Sequence, residues 1–394
     1  MLIGVVGKPS TGKSTFFRAC TLAEAEIANY PFTTIKPNHA VGFVRIECVD
    51  REFNKQCNPR IGYCINHNRF VAIDLLDVAG LVEGAHEGKG LGNKFLNDLS
   101  QADALIHVVD ASGSTNERGE SVKPLSYDPL KDIEFLEREL DLWFLGLVTK
   151  GWDKFARQQN LEKKELYKSI AKQLSGLGVT EEIARGVLKN FDEDLSKWNE
   201  NDLAKLSSEI RRVTKPMLIA ANKIDVKGSE ENVKRMRERF KDYIIIECSA
   251  IAELALREAS ENKSIKYIPG DNKFEIIKTL DEKAKKILDY INIEIFPKYN
   301  STGIQRILNA AVFDLLKYIS IYPGGVNNLV DSDGRILPDC FLMKEGSTAL
   351  DFAFRLHTDF GKNFIKAVNV KTRLAIGKDY KLKNKDVIEI FSKK

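Results

Sequence analysis

Hydrophobic residues fall into short, largely apolar runs, Leu2–Val6, Val71–Leu76, Ala104–Val109, Met217–Ala221 and Tyr243–Glu247, each closing on polar or small residues. Runs of this length read as strands buried on both faces. Separated by helical or loop segments, they predict an α/β fold with a doubly wound, mostly parallel sheet. The stretch between Val109 and Met217 is too long for a loop and has a different period. Ile133, Leu136, Leu140, Trp143, Phe144 and Leu147 recur at helical spacing, and Leu166, Ile170, Leu174 and Leu177 repeat it before Gly178. An inserted α-helical domain follows, its stripes packing on each other, with a coiled-coil hairpin as one arrangement. Beyond residue 318, β-like runs at Cys340–Met343, Ala367–Val370 and Val387–Phe391 surround one helix near Leu350–His357. Thr348 and Asp351 have the spacing of its capping box, and Leu350, Ala353 and Phe354 form its expected buried face. The predicted domains are residues 1–127 with 212–317, an insertion at 128–211, and a module at 318–394.

Composition narrows the class. No run approaches the roughly 18 to 20 apolar residues that span a bilayer, and Met1–Gly7 leads into a loop rather than a cleavage site, so a cytoplasmic, non-membrane protein is expected. The six cysteines are scattered through the chain, which predicts reduced thiols. Cys57, Cys64 and His67 are the tightest group. Their six-residue gap exceeds usual zinc spacing, so a simple hairpin is expected there. The net charge of +4 identifies no partner, but Arg355–Lys394 carries eleven cations against four anions.

Three motifs carry the chemistry. Gly7-Lys8-Pro9-Ser10-Thr11-Gly12-Lys13-Ser14, continuing into Thr15, matches G-x-x-x-x-G-K-[ST] between a strand and a helix. Its glycines let backbone amides curl around phosphate oxygens, Lys13 neutralises the terminal phosphate, and the Ser14 hydroxyl suits Mg2+. Asp77-Val78-Ala79-Gly80 follows a second strand. Asp77 there holds magnesium through water, and the Gly80 amide approaches the terminal phosphate. Asn222-Lys223-Ile224-Asp225 reads the base: Asp225 accepts from the paired donors of guanine, Lys223 lays its stem across the base, and Asn222 ties the loop to the phosphate cradle. Ser249-Ala250 then offers a backbone amide to guanine O6.

With these motifs, the chain resembles the Obg-related P-loop GTPases, and within them the YchF branch that includes the Obg-like ATPases. The resemblance rests on Asn29-Tyr30-Pro31-Phe32-Thr33-Thr34, on Gly80-Leu81-Val82-Glu83-Gly84-Ala85, on Gly88-Lys89-Gly90-Leu91-Gly92 and on the helical insertion before Asn222. It implies that Thr34 is a further magnesium ligand and that Phe32, Thr33, Thr34, Ile35 and Lys36 line the nucleotide. Phe341-Leu342-Met343-Lys344, Gly346-Ser347-Thr348 and Asp351–Asp359 resemble a TGS domain, which implies a β-grasp fold. The family is associated with ribosomes and translation, so the implied partners are GTP or GDP and a ribosome or RNA met through the TGS and helical domains.

Bacterial and eukaryotic members of the branch typically end the base motif in Glu and tend to use ATP. Asp225 therefore predicts GTP over ATP in a slowly hydrolysing switch, with a nucleotide-gated RNA- or ribosome-binding module of ATP or dual nucleotide use and little hydrolysis as the alternative. Ser10 stands where many relatives carry Asn, a position linked to potassium-assisted catalysis, and potassium activation is not expected. The predicted reaction is attack of in-line water on the terminal phosphoanhydride, with Lys13, Thr34 and Gly80 as its stabilising groups. Leu81 occupies the place of the water-orienting Gln of many GTPases and cannot hydrogen-bond, which predicts slow intrinsic turnover. His86 is the candidate to orient water, beside Glu83 and Glu87.

Overall fold

The computed structural model describes residues 1–21, 38–78, 92–162, 165–192 and 194–393. These form two compact units, Met1–Phe17 with Leu75–Leu254, and Arg18–Asp74 with Ala255–Lys394. Strands β1 (Leu2–Val6), β2 (His39–Glu47), β3 (Tyr63–Ile65), β4 (Asn68–Asp77), β5 (Ala104–Asp110), β6 (Met217–Asn222) and β7 (Ile245–Glu247) make a sheet of order β2-β4-β1-β5-β6-β7, with β3 paired to β4.

In the first unit the pairs β1–β5, β5–β6 and β6–β7 are parallel, with Ile3 opposite Ala104 and Leu105 opposite Met217. Every residue of β5 and β6 is buried, which is why these strands show no polar alternation in the sequence. The apolar run at Tyr243 pairs only from Ile245; the Tyr243 hydroxyl instead reaches Glu137 at 2.5 Å and Arg211 at 3.3 Å.

Both predicted insertion helices form, at Leu130–Thr149 and Leu166–Gln173, the second followed by a 3-10 turn at Ser175–Leu177. They do not pair as a coiled-coil hairpin. The partner of Leu130–Thr149 is Glu200–Thr214 at the far end of the insertion, joined to it by buried Arg211, whose Nε donates to Asp141 at 2.8 Å. Helices Trp152–Glu162, Leu166–Gln173 and Glu181–Val187 lie between them in sequence, and Trp152 stacks on Trp198 with centroids 5.5 Å apart. A two-helix seam would leave those tryptophans uncovered; the bundle buries Trp152 and half-buries Trp198. One continuous apolar cluster links Leu140, Phe144 and Ile210 to Val6, Leu76 and Leu105 of the sheet.

In the second unit, β8 (Ile265–Tyr267) and β9 (Phe274–Ile276) form a hairpin. Strands β10 (Tyr318–Pro323), β11 (Phe341–Lys344), β12 (Phe364–Asn369), β13 (Leu374–Ile376) and β14 (Asp386–Ser392) form a sheet ordered β11-β10-β14-β12-β13. Its only parallel pair is β10–β14. Helix Ala349–Leu356 packs on it, and the expected capping box is present: Asp351 N donates to Thr348 Oγ1 at 3.1 Å and Thr348 N to Asp351 Oδ2 at 2.7 Å. The buried face is Ala349, Phe352 and Ala353 rather than one including Phe354, which is 46% exposed. At 100° per residue, Phe354 falls off that stripe and covers the bare backbone of Gly361 instead. The hairpin expected around Cys64 and His67 forms as β3–β4, turning through Asn66 and His67 at φ 49° and 62°.

Candidate functional site

The loop Gly7–Gly12 runs from β1 into helix Lys13–Thr21. Two of its positions require glycine. A Cβ on Gly7 would lie 2.6 Å from the Val108 carbonyl oxygen, and one on Gly12, at φ 88°, would lie 2.4 Å from Asn222 Nδ2. The left-handed turn at Ser10 and the Thr11 Oγ1 bond to Lys8 O at 3.0 Å complete the curl. Pro9, Ser10 and Ser14 are exposed, while Thr11 is buried. Asp77, at the end of β4, forms an ion pair with Lys13, so the first two motifs meet.

Asn222 connects the base motif to both neighbours. Its Nδ2 donates to Thr11 O at 2.9 Å, and its Oδ1 accepts from Ala250 N at 3.0 Å. Asp225 is half-buried and accepts from Ser249 Oγ at 2.6 Å, which holds the carboxylate before helix Ala250–Glu261. Thus Gly7–Thr15, Asp77, Asn222, Lys223, Asp225, Ser249 and Ala250 lie on the same ends of β1, β4, β6 and β7. Phe32, Thr33, Thr34, Ile35, Lys36, Gly80, Leu81, Glu83, His86 and Glu87 lie outside the described residues.

Two side chains named for the nucleotide are committed to protein partners. Lys223, at φ 64°, sends its ammonium to Asp110 Oδ2 at 2.8 Å and to Thr115 Oγ1 at 3.2 Å. Lys8 is buried: its Nζ reaches Asp132 at 2.8 Å and Thr115 O at 3.0 Å, and it lies 4.0 Å from the Tyr127 ring centroid. Only the backbone of Lys8 remains available to the phosphate loop.

Sequence reasoning missed the groups that anchor these lysines. Asp110 ends β5 and is 1% exposed, collecting Ser112, Ser114, Thr115 and Lys223. Burial alone would raise its pKa, but these hydrogen bonds outweigh it and hold the carboxyl below its ordinary value. At the Lys8–Asp132 pair the balance reverses. Burial lowers the Lys8 pKa and raises that of Asp132, more than each partner's pairing restores. The available signal for Asp110 was local: an acid closing a buried strand, followed by Ser112, Gly113, Ser114 and Thr115. Asp132 looked like one more helix residue.

Hard oxygen donors at Ser14 and Asp77, beside an amide-lined loop and Lys13, fit a Mg2+–phosphate group. Among the described residues no helix is long and apolar enough to cross a membrane.

Comparison with known proteins agrees with this arrangement. Residues 2–138 match the 50S ribosome-binding GTPase family, 220–326 the Obg-like GTPase YGR210-like, G4 motif-containing domain, and 329–392 the TGS domain. An uncharacterised GTP-binding protein of Methanocaldococcus jannaschii is 46% identical over 99% of both chains. The ribosome-binding ATPase YchF of Bacillus subtilis is 30% identical over 98% of this chain and 97% of its own. The crystal structure of a GTP binding protein from Pyrococcus horikoshii OT3 is 41% identical, with a TM-score of 0.78 over all of both chains. The chain therefore belongs to the YchF branch of the Obg-like GTPases, as a P-loop GTP-binding protein with a C-terminal TGS domain.

Proposed function

We propose that this protein is a nucleotide-operated switch that binds GTP in preference to ATP and hydrolyses it slowly. The observation that carries the preference is the Asp225 carboxylate, steered by Ser249 Oγ at 2.6 Å on a loop that Asn222 clamps to the phosphate cradle. Guanine presents N1–H and an exocyclic amine side by side, and one carboxylate accepts both; adenine has no such donor pair. Lys223, held by Asp110, lines the base with its stem, whereas the Ala250 N–H expected at O6 is taken by Asn222 Oδ1 at 3.0 Å. Lys13 and the amides of Gly7–Thr15 neutralise and orient the phosphates.

Ser14 and Asp77, with Thr34, would hold Mg2+, which when bound neutralises charge on the phosphate oxygens. Phe32–Lys36 enclose the nucleotide, the Gly80 amide senses the terminal phosphate, and His86 is the water-orienting candidate where Leu81 replaces Gln. The switch output is docking to a ribosome or RNA, in the cytoplasm, through the helical insertion at 128–211 and the module at 318–394. The basic surplus of residues 355–394 supports this, although Lys371 and Lys385 are spent on Glu52 and Glu47.

Competition against labelled GDP tests the preference. ATP displacing the label as effectively as GTP would sink it and favour dual use, the reading suggested by the ATPase name of the Bacillus relative. For the output, GTP- and GDP-loaded protein should differ in retention on ribosomal fractions, with steep salt dependence that disappears when residues 318–394 are deleted.

A further inference from the structure

The excursion between β2 and β4 gathers chemistry that the nucleotide site does not use. The Sγ atoms of Cys48, Cys57 and Cys64 and a carboxylate oxygen of Asp50 all lie within 4.8 Å of one another. Cys48, Asp50 and Cys57 are buried and Cys64 half-buried. Cys48 Sγ is 3.5 Å from Cys57 Sγ, and Cys64 Sγ is 3.8 Å from Asp50 Oδ2. A tetrahedral ion with Zn–S of about 2.3 Å and Zn–O of about 2.0 Å separates sulfur pairs by about 3.8 Å and sulfur from oxygen by about 3.5 Å. Each measured edge lies about 0.3 Å from its tetrahedral value, the sulfur pair short and the sulfur–oxygen pair long.

Three local structures converge to make the cluster. Cys48 precedes the 3-10 turn Val49–Phe53, which ends on left-handed Asn54, so that the chain doubles back. Lys55 N then bonds Asp50 O at 3.0 Å, and Cys57 N bonds Asp50 Oδ2 at 2.8 Å. The β3–β4 hairpin brings in Cys64, and Cys48 N closes the ring on His67 O at 2.8 Å. The surrounding charges suit a metal thiolate centre. His67 Nδ1 lies 2.9 Å from Asp50 Oδ1, the carboxylate–histidine contact that orients a ligating oxygen. Buried Arg69 places Nη1 3.5 Å from Cys57 Sγ and offsets the excess negative charge that three thiolates and a carboxylate bring to a divalent ion.

We propose that Cys48, Cys57 and Cys64, as thiolates, and Asp50, as the oxygen ligand, form a closed structural Zn2+ site. Binding displaces three thiol protons to solvent. Thiolate donors select against Mg2+ and Ca2+, and four protein ligands leave no open position for a substrate. The site would act as a staple. Arg69 also donates to Leu337 O at 2.9 Å and Pro338 O at 2.8 Å, so fixing the hairpin fixes the segment that leads into β11. No cysteine forms a disulfide among the described residues, and a Cys48–Cys57 bond would leave half-buried Cys64 and buried Asp50 beside it without an ion.

The test is metal analysis of the full chain purified without chelator in reducing buffer. About one zinc per chain is expected, falling to background in Cys57→Ser and in Cys64→Ser, with GDP binding as the control for an intact nucleotide unit. If both variants fail to fold, the wild-type protein is stripped and titrated with Co2+. Saturation at about one equivalent, with the thiolate-to-cobalt charge-transfer band and the visible bands of tetrahedral cobalt, supports the site. His67→Ala should weaken Co2+ binding about 10- to 100-fold while keeping that spectrum. Wild-type protein with neither zinc nor a tetrahedral cobalt spectrum overturns the proposal. So does zinc retained by both serine variants, iron in its place, or a Cys48–Cys57 disulfide in freshly purified protein.

Discussion

Replacing Asp132 with Leu tests whether the phosphate loop is anchored to the insertion by a desolvated charge. Lys8 and Asp132 side chains are each 6% exposed, with Nζ 2.8 Å from the carboxylate. Removing one partner of such a pair costs about 3–5 kcal/mol, because the remaining charge stays buried. Lys8 would keep the Thr115 carbonyl at 3.0 Å and the Tyr127 ring at 4.0 Å. A desolvated cation–π contact is worth about 2 kcal/mol, which places the loss at the lower end, about 3 kcal/mol. With m of about 3 kcal/mol/M, the urea midpoint of the nucleotide unit should fall by roughly 1 M.

The pH dependence identifies the responsible group. Burial already holds the Lys8 pKa below 10.5 against the opposing pull of Asp132, and losing Asp132 lowers it further. Between the folded value and 10.5 the unfolded chain binds more protons, so stability rises with pH across that window. The deficit of Asp132→Leu should therefore shrink as pH climbs through the folded Lys8 value. The double variant Lys8→Met/Asp132→Leu should recover most of the loss at neutral pH, since an apolar pair of similar volume replaces a pair limited by desolvation. A double variant as unstable as the single one, or a deficit independent of pH, would refute the reasoning.

Asp225→Asn should weaken GTP binding about 10- to 150-fold, the worth of roughly 1.5–3 kcal/mol for hydrogen bonds to a charged group, and leave ATP binding unchanged; competition titration reads both. Gly12→Ala should abolish GDP binding in calorimetry while far-UV circular dichroism is retained, because its Cβ would sit 2.4 Å from Asn222 Nδ2 and displace the clamp on Thr11. Thr348→Ala removes the cap of helix Ala349–Leu356 and should cost about 1 kcal/mol, seen as a lower denaturant midpoint for the second unit with nucleotide affinity unaltered.

What the sequence disclosed divides by range. Strands β1, β5 and β6 were legible because burial on both faces removes polar positions, leaving runs that no surface element carries, and β4 was legible from its Val71–Leu76 run despite the Asp74 within it. Gly7–Ser14 and Asn222–Asp225 were legible because a phosphate cradle and a base-reading carboxylate each need several residue types within a few positions. Pairings across long separations were not. Lys8 meets Asp132 across 124 positions, and an acid in the first turn of Leu130–Thr149 has an ordinary helix-dipole explanation that gives no reason to look further. The same limit governs the cysteines. Judged on the gap between Cys57 and Cys64, the group fails as a zinc knuckle, but that rule presumes ligands from one compact turn. Here the 3-10 turn supplies Asp50, its flanks Cys48 and Cys57, and the hairpin Cys64. A spacing rule tests only one way of bringing ligands together, whereas backbone reversal at Asn54 and at Asn66–His67 supplies another that no fixed interval encodes.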